Sequence, residues 1–169
     1  MYSRQQNALT KLGLKGSKQY DWDLDDLQIS DEHYKWSHED LETMLYQYIC
    51  KDESYYWWEH IYCTKYEESD LVRGFEICVK SRQGADQITV IKNIVKISLL
   101  MVNPNLTVEQ AESAMNQLYN SPDSFNTDRC MYYNGGFYRL AGKEDFTGVV
   151  VKPMTESDYQ KSIDKKNTN

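Results

Sequence analysis

The residues in this chain that could carry chemistry are few, and their spacing assembles them poorly. His33, His38 and His60 with Cys63 give a His-x4-His pair and a His-x2-Cys pair. Those donors suit zinc, but the spacing is too loose to define a site, and an aromatic-rich element carrying His60 and Cys63 more often buries the thiol and leaves the imidazole at the surface. Asp70, Glu76 and Lys80 offer the acids and lysine of a nuclease. Glu76 and Lys80 stand four apart, so on a strand they share a face without matching an acid-x-lysine pattern. A thiol or hydroxyl nucleophile needs a base with an orienting partner, and no local pattern marks one. Gly135-Gly136 is a turn and not a phosphate loop, because no helix begins directly after it. The expectation is therefore a protein that is not an enzyme and holds no metal and no cofactor. Were it an enzyme, His60, Cys63 and Asp70 would be the residues to test.

A stronger signal is binding. Residues 20–70 hold 15 of the 26 carboxylates against Lys35, Lys51 and Lys65, together with all four tryptophans and eight of the fourteen tyrosines. The formal charge runs +4 over residues 1–19, −12 over 20–70, +3 over 71–103 and −2 over the remainder, for a total of −7. Either the basic ends fold against the acidic middle, or the acidic segment faces solvent, repels nucleic acid and draws basic protein surfaces. The rings Tyr55, Tyr56, Trp57 and Trp58 are flanked by Asp52, Glu53 and Glu59, which disfavours a nucleic-acid stacking platform and favours core packing or a protein partner. The candidate partner-binding residues are Asp21, Trp22, Asp23, Asp25, Asp26, Asp31, Glu32, Trp36, Glu39, Asp40, Tyr56 and Trp57. Carboxylates four apart on a helix lie roughly 6 Å apart along its axis, so an acidic helical face can imitate a row of phosphates.

The elements that must position these residues follow from periodicity. A chain of 169 residues suits one domain with a real core. Ser37 with Asp40 opens a helix expected to run to about Cys50 through Leu41, Met44, Leu45 and Tyr48. A second helix is expected from Asp52 or Ser54, burying Tyr55, Trp58, Ile61 and Tyr62. Phe75, Ile77 and Val79 alternate as one face of a strand. Residues 82–86 turn, and 88–102 form an apolar helix stopped by Asn103-Pro104-Asn105. Thr107 and Gln110 make a capping box for a helix through Leu118. Residues 130–133 and 136–140 pair as a hairpin about Asn134-Gly135, 146–152 add a strand, and 156–164 form a short helix.

These elements predict an α+β fold: a single compact domain with helices packed on a small antiparallel sheet. Its parts are a basic N-terminal segment (1–19), an acidic aromatic-rich helical segment (20–70), an α+β core with a C-terminal hairpin (71–155) and a polar tail (156–169), disordered from 161. Over residues 86–140 the order helix, turn, helix, loop, hairpin resembles a winged-helix module, without a clear third helix before the wing. That resemblance implies DNA reading only if the helix before the wing is basic, and here it carries Glu109 and Glu112 with no Lys or Arg. The wing region has Arg129, Arg139 and Lys143.

No apolar run is long enough to cross a bilayer, and the N-terminal sixteen residues lack the apolar centre of a signal peptide. The expected compartment is the cytoplasm, with Cys50, Cys63, Cys78 and Cys130 as reduced thiols. In composition the chain resembles phage and mobile-element inhibitors of restriction or CRISPR enzymes. That resemblance implies an inhibitor that offers its acidic, aromatic surface to a basic nucleic-acid-handling protein such as a nuclease. A winged-helix adaptor binding nucleic acid or protein, and an enzyme with an unrecognised site, are the alternatives.

Overall fold

A computed structural model describes residues 2–23, 41–51, 56–66, 72–84, 86–125, 128–143 and 146–167. The chain begins with helix α1 (Tyr2–Lys11) and then forms four long strands, β1 (Lys15–Asp23), β2 (Leu41–Lys51), β3 (Tyr56–Tyr66) and β4 (Val72–Gln83). Two helices follow, α2 (Gln87–Val102) and α3 (Val108–Tyr119). Strands β5 (Ser124–Phe125), β6 (Asp128–Tyr133), β7 (Gly136–Lys143) and β8 (Phe146–Pro153) precede helix α4 (Glu156–Asn167). All eight strands join one antiparallel sheet in the order β1-β2-β3-β4-β8-β7-β6-β5. The sheet is thus two four-stranded meanders, β1–β4 and β5–β8, joined where β4 pairs with β8.

Alternation along the strands explains which face is covered. Cross-strand register puts Cys63, Phe75, Val151, Tyr138 and Met131 in one row, and Ile61, Ile77, Val149 and Leu140 in the next. Every one of these side chains is buried in the main core against α1, α2 and α3. Burying apolar surface at roughly 25 cal/mol per Å² makes this face the main source of stability. Helix α2 is enclosed by the sheet, α1 and α3, so its apolar character extends nearly all round, from Val90 and Ile94 to Leu100 and Met101.

The helix ends are closed by identifiable groups. Asp86 caps α2, its Oδ1 accepting from the Thr89 amide at 2.7 Å. Helix α2 has no basic residue in its last turn. Helix α1 supplies the cations: Arg4 Nη1 donates to the Met101 carbonyl at 2.8 Å, and Lys11 Nζ to those of Pro104 and Leu106 at 2.5 and 3.0 Å. The capping box expected at Thr107 and Gln110 is present in both directions, at 2.9 and 3.2 Å. The hairpin tip is also as expected, with Asn134 and Gly135 both at positive φ, 46° and 81°.

The α+β class, the single domain and the helices on an antiparallel sheet are all found. The acidic helical segment is corrected. Residues 41–51 and 56–66 are strands, because Trp57, Ile61 and Cys63 fit the inner face of a sheet at period two and pair with neighbours on both sides. The proposed start at Ser37 and Asp40 lies outside the described residues, as do Asp52, Ser54 and Tyr55. The polar tail is corrected as well, since α4 continues through Asn167. Residues 1–19 are not merely a basic segment but contain α1 and the start of β1.

Helices α2 and α3 and the β6–β7 hairpin occur in the order of a winged helix, yet the geometry differs. Between α3 and β6 the described residues hold only the short strand β5, and β7 pairs along its length with β8. The hairpin is part of the sheet interior and does not project as a wing.

Candidate partner-binding surface

Register in the N-terminal meander gathers the acidic sequence at one end. Asp23, Leu41, Tyr66 and Val72 are the strand ends on that side. The connections 24–40 and 67–71 therefore both leave from and return to the same end of β1–β4. Together they hold nine carboxylates, six in 24–40 and three in 67–71, with Lys35 the one Lys or Arg. Asp21, Asp23 and Glu42 lie in the adjoining strand ends.

The candidate binding residues are thus only partly located. Asp21, Trp22 and Asp23 form the last three positions of β1, which among the described residues pairs only with β2. Tyr56 opens β3 at the opposite end, paired with Lys51. Asp25, Asp26, Asp31, Glu32, Trp36, Glu39 and Asp40 lie outside the described residues. Trp57 is corrected: its side chain is fully buried in the core and offers no surface to a partner.

Four of the bases that might have folded against the acidic segment, Arg4, Lys11, Lys92 and Lys96, have partners elsewhere. Arg4 binds the carbonyl of Met101 at the end of α2, and Lys11 those of Pro104 and Leu106 in the connection to α3. Lys92 lies over the Tyr119 ring at 5.5 Å, and Lys96 pairs with Glu112 at 3.2 Å. Arg129 also lies over the Tyr119 ring, at 4.8 Å, and donates to the Tyr119 carbonyl, and Arg139 pairs with Asp128 at 3.7 Å. Both arginines of the supposed wing are therefore turned onto the protein's own groups.

One carboxylate of the acidic segment is not at any surface. Glu59 is fully buried on the inner face of β3. Its Oε2 accepts from Trp57 Nε1 at 2.9 Å, its Oε1 accepts from Gln5 Nε2 of α1, and the Cys50 thiol of β2 also reaches it. Burial pushes the Glu59 pKa up to about 7, against the opposing pull of these donors. Burial, with Glu59 beside it, also pushes the Cys50 thiol well above its ordinary range. Nothing local in the chain marks this cluster, since Gln5, Cys50 and Glu59 meet only through sheet register and the docking of α1.

The outer face of the sheet bears on the enzyme alternative. His60 and Cys63 are three apart on β3 and so point to opposite faces, Cys63 into the core. They cannot converge on one metal or one substrate. The neighbour of His60 across the register is instead Cys78 of β4. Asp70, His33 and His38 lie outside the described residues, and among the described residues no three His, Cys, Asp or Glu side chains gather as a metal would require. Farther along this outer face α4 covers β6 and β7: Tyr159 is buried, with its ring 6.2 Å from Tyr132 and 6.0 Å from Phe137.

No protein-family model matches the chain, and neither does any curated protein or solved structure. No helix among the described residues is long and apolar enough to cross a membrane.

Proposed function

We propose that this chain is a small cytoplasmic binding protein that inhibits a nucleic-acid-handling protein by occupying the basic surface meant for DNA or RNA. The observation that carries this reading is the separation of charge: two acidic connections start and finish at one end of the β1–β4 meander, while Arg4, Lys11, Lys92 and Lys96 are held by other groups. Carboxylates concentrated at one end of a sheet would attract a basic partner over distance and repel polyanions. Rings interspersed among them, Trp22 and Trp36, supply the apolar contact that fixes a bound state.

The test is capture of partners by the tagged protein at low and high salt, with duplex DNA as competitor. The reading expects a nuclease or other nucleic-acid enzyme that salt and DNA both release. Reversal of Asp25 and Asp26 to Lys is expected to weaken capture at least tenfold, a loss of about 1.4 kcal/mol, with Arg139→Glu nearly without effect. Retention of nucleic acid by the protein itself would sink the reading and favour an adaptor that binds nucleic acid directly.

A further inference from the structure

A carboxylate enclosed by protein keeps its charge only where a cation or enough hydrogen-bond donors make up for the lost water, and otherwise takes up a proton. Among the described residues the groups facing Glu59 are Gln5 from α1, Trp57 from its own strand and Cys50 from β2, and none is a cation. Val79 stands opposite it on β4 and Tyr48 on β2, neither of them a cation. The Gln5 amide is the contact between this carboxyl and α1, and Gln5 Oε1 is itself buried without a hydrogen-bond donor. A carboxylate offers that oxygen nothing. A carboxylic acid has an O–H to donate, and turning the Gln5 amide presents Oε1 to receive it.

We propose that a proton on Glu59 latches α1 to the sheet, so that α1 is docked while Glu59 is neutral and loosened when it ionises. Among the described residues the other covers of Glu59 belong to strands held by ladders on both sides, which leaves lifting of α1 as the route by which water reaches the charge. Ala8 and Leu9 keep α1 in the core, Arg4 ties it to the end of α2 and Lys11 to the α2–α3 connection, so ionisation shifts an equilibrium and does not unfold the domain. The sign follows from the raised pKa. Stability from the neutral acid is fully present below the ordinary carboxyl value of 4.5 and is lost as pH rises through about 7. The device goes beyond the inhibitor reading and does not depend on it.

Hydrogen exchange of the intact protein measures the latch, read over α1 with α3 as an internal reference. After correction for intrinsic rates, protection of residues 2–11 is expected to fall about tenfold or more between pH 5.5 and 8.5, with α3 unchanged. Glu59→Gln, which keeps the shape and removes the charge, is expected to abolish that fall. Equal pH dependence in α1 and α3, or a fall that survives in Glu59→Gln, would overturn the proposal. Should the variant fail to fold, carbon-13 titration of the Glu59 carboxyl in the unaltered protein decides: a midpoint near 7 supports the latch, and one near 4.5 refutes it.

Discussion

The hydroxyl of Tyr159 donates to Oδ2 of Asp123 at 2.6 Å, joining the last helix to the loop that precedes β6. The same oxygen sits 3.4 Å from the Cys130 carbonyl and 3.9 Å from its sulfur, so a single buried side chain closes the outer face of this end of the sheet. Thr155 caps the helix that delivers it, accepting from the Asp158 amide at 3.2 Å.

Tyr159→Phe keeps the ring and deletes the hydroxyl. Loss of a hydrogen bond to a charged acceptor is expected to cost about 1–3 kcal/mol. Urea unfolding monitored by circular dichroism measures it. A cost indistinguishable from zero would mean that α4 is held by its ring contacts alone.

Gly74 lies on β4 where that strand meets β8. A methyl group there would approach the Val151 carbonyl oxygen to 2.8 Å, and that oxygen belongs to the backbone of the ladder and cannot turn away. Gly74→Ala is expected to destabilise by about 1–3 kcal/mol through displaced strands. Gly135→Ala meets no atom within 4 Å and is expected to cost only about 1 kcal/mol, from its positive φ. Thermal unfolding of the two variants side by side separates the mechanisms, and an equal loss in both would contradict the tight β4–β8 approach.

All four cysteines are buried thiols outside any disulfide. A dipyridyl disulfide at about pH 6, where Glu59 is neutral and α1 is docked, is expected to label none of them within minutes in the native protein and all four in denaturant. In Tyr159→Ala the reagent is expected to reach Cys130 first, identified by mass spectrometry of the labelled peptide. Prompt labelling of Cys50 or Cys63 in the native protein would contradict the packing of α1 and β3.

What the sequence disclosed is mostly local. Thr107 and Gln110 satisfy each other's backbone neighbours within one turn, and Asn134-Gly135 turns a hairpin through its own backbone preference, so both were legible. The helix at 87–102 announced itself through its unbroken apolar face. Strands β2 and β3 were not legible, because Leu41, Met44, Leu45 and Tyr48 fit a helical stripe while the same stretch also alternates. On β3 the inner face contains Glu59, a charged residue that breaks the apolar period expected of a strand. Its partners, Gln5 and Cys50, are 54 residues away along the chain in one case and on a neighbouring strand in the other. Trp57 failed as a surface candidate for the same reason: ring content says that a side chain will pack, and only register says against what.

The junction of β4 with β8 also bears on how the protein is made. The ribosome releases β1–β4 first, and α2, α3 and three further strands must follow before Phe146–Pro153 arrives to pair with Phe75–Val79. Until then β4 is a bare edge with buried-type side chains and unpaired amides, the state in which nascent chains adhere to one another. Chaperone demand should accordingly concentrate late in synthesis, and premature termination ahead of residue 146 leaves an adhesive product rather than a smaller working domain.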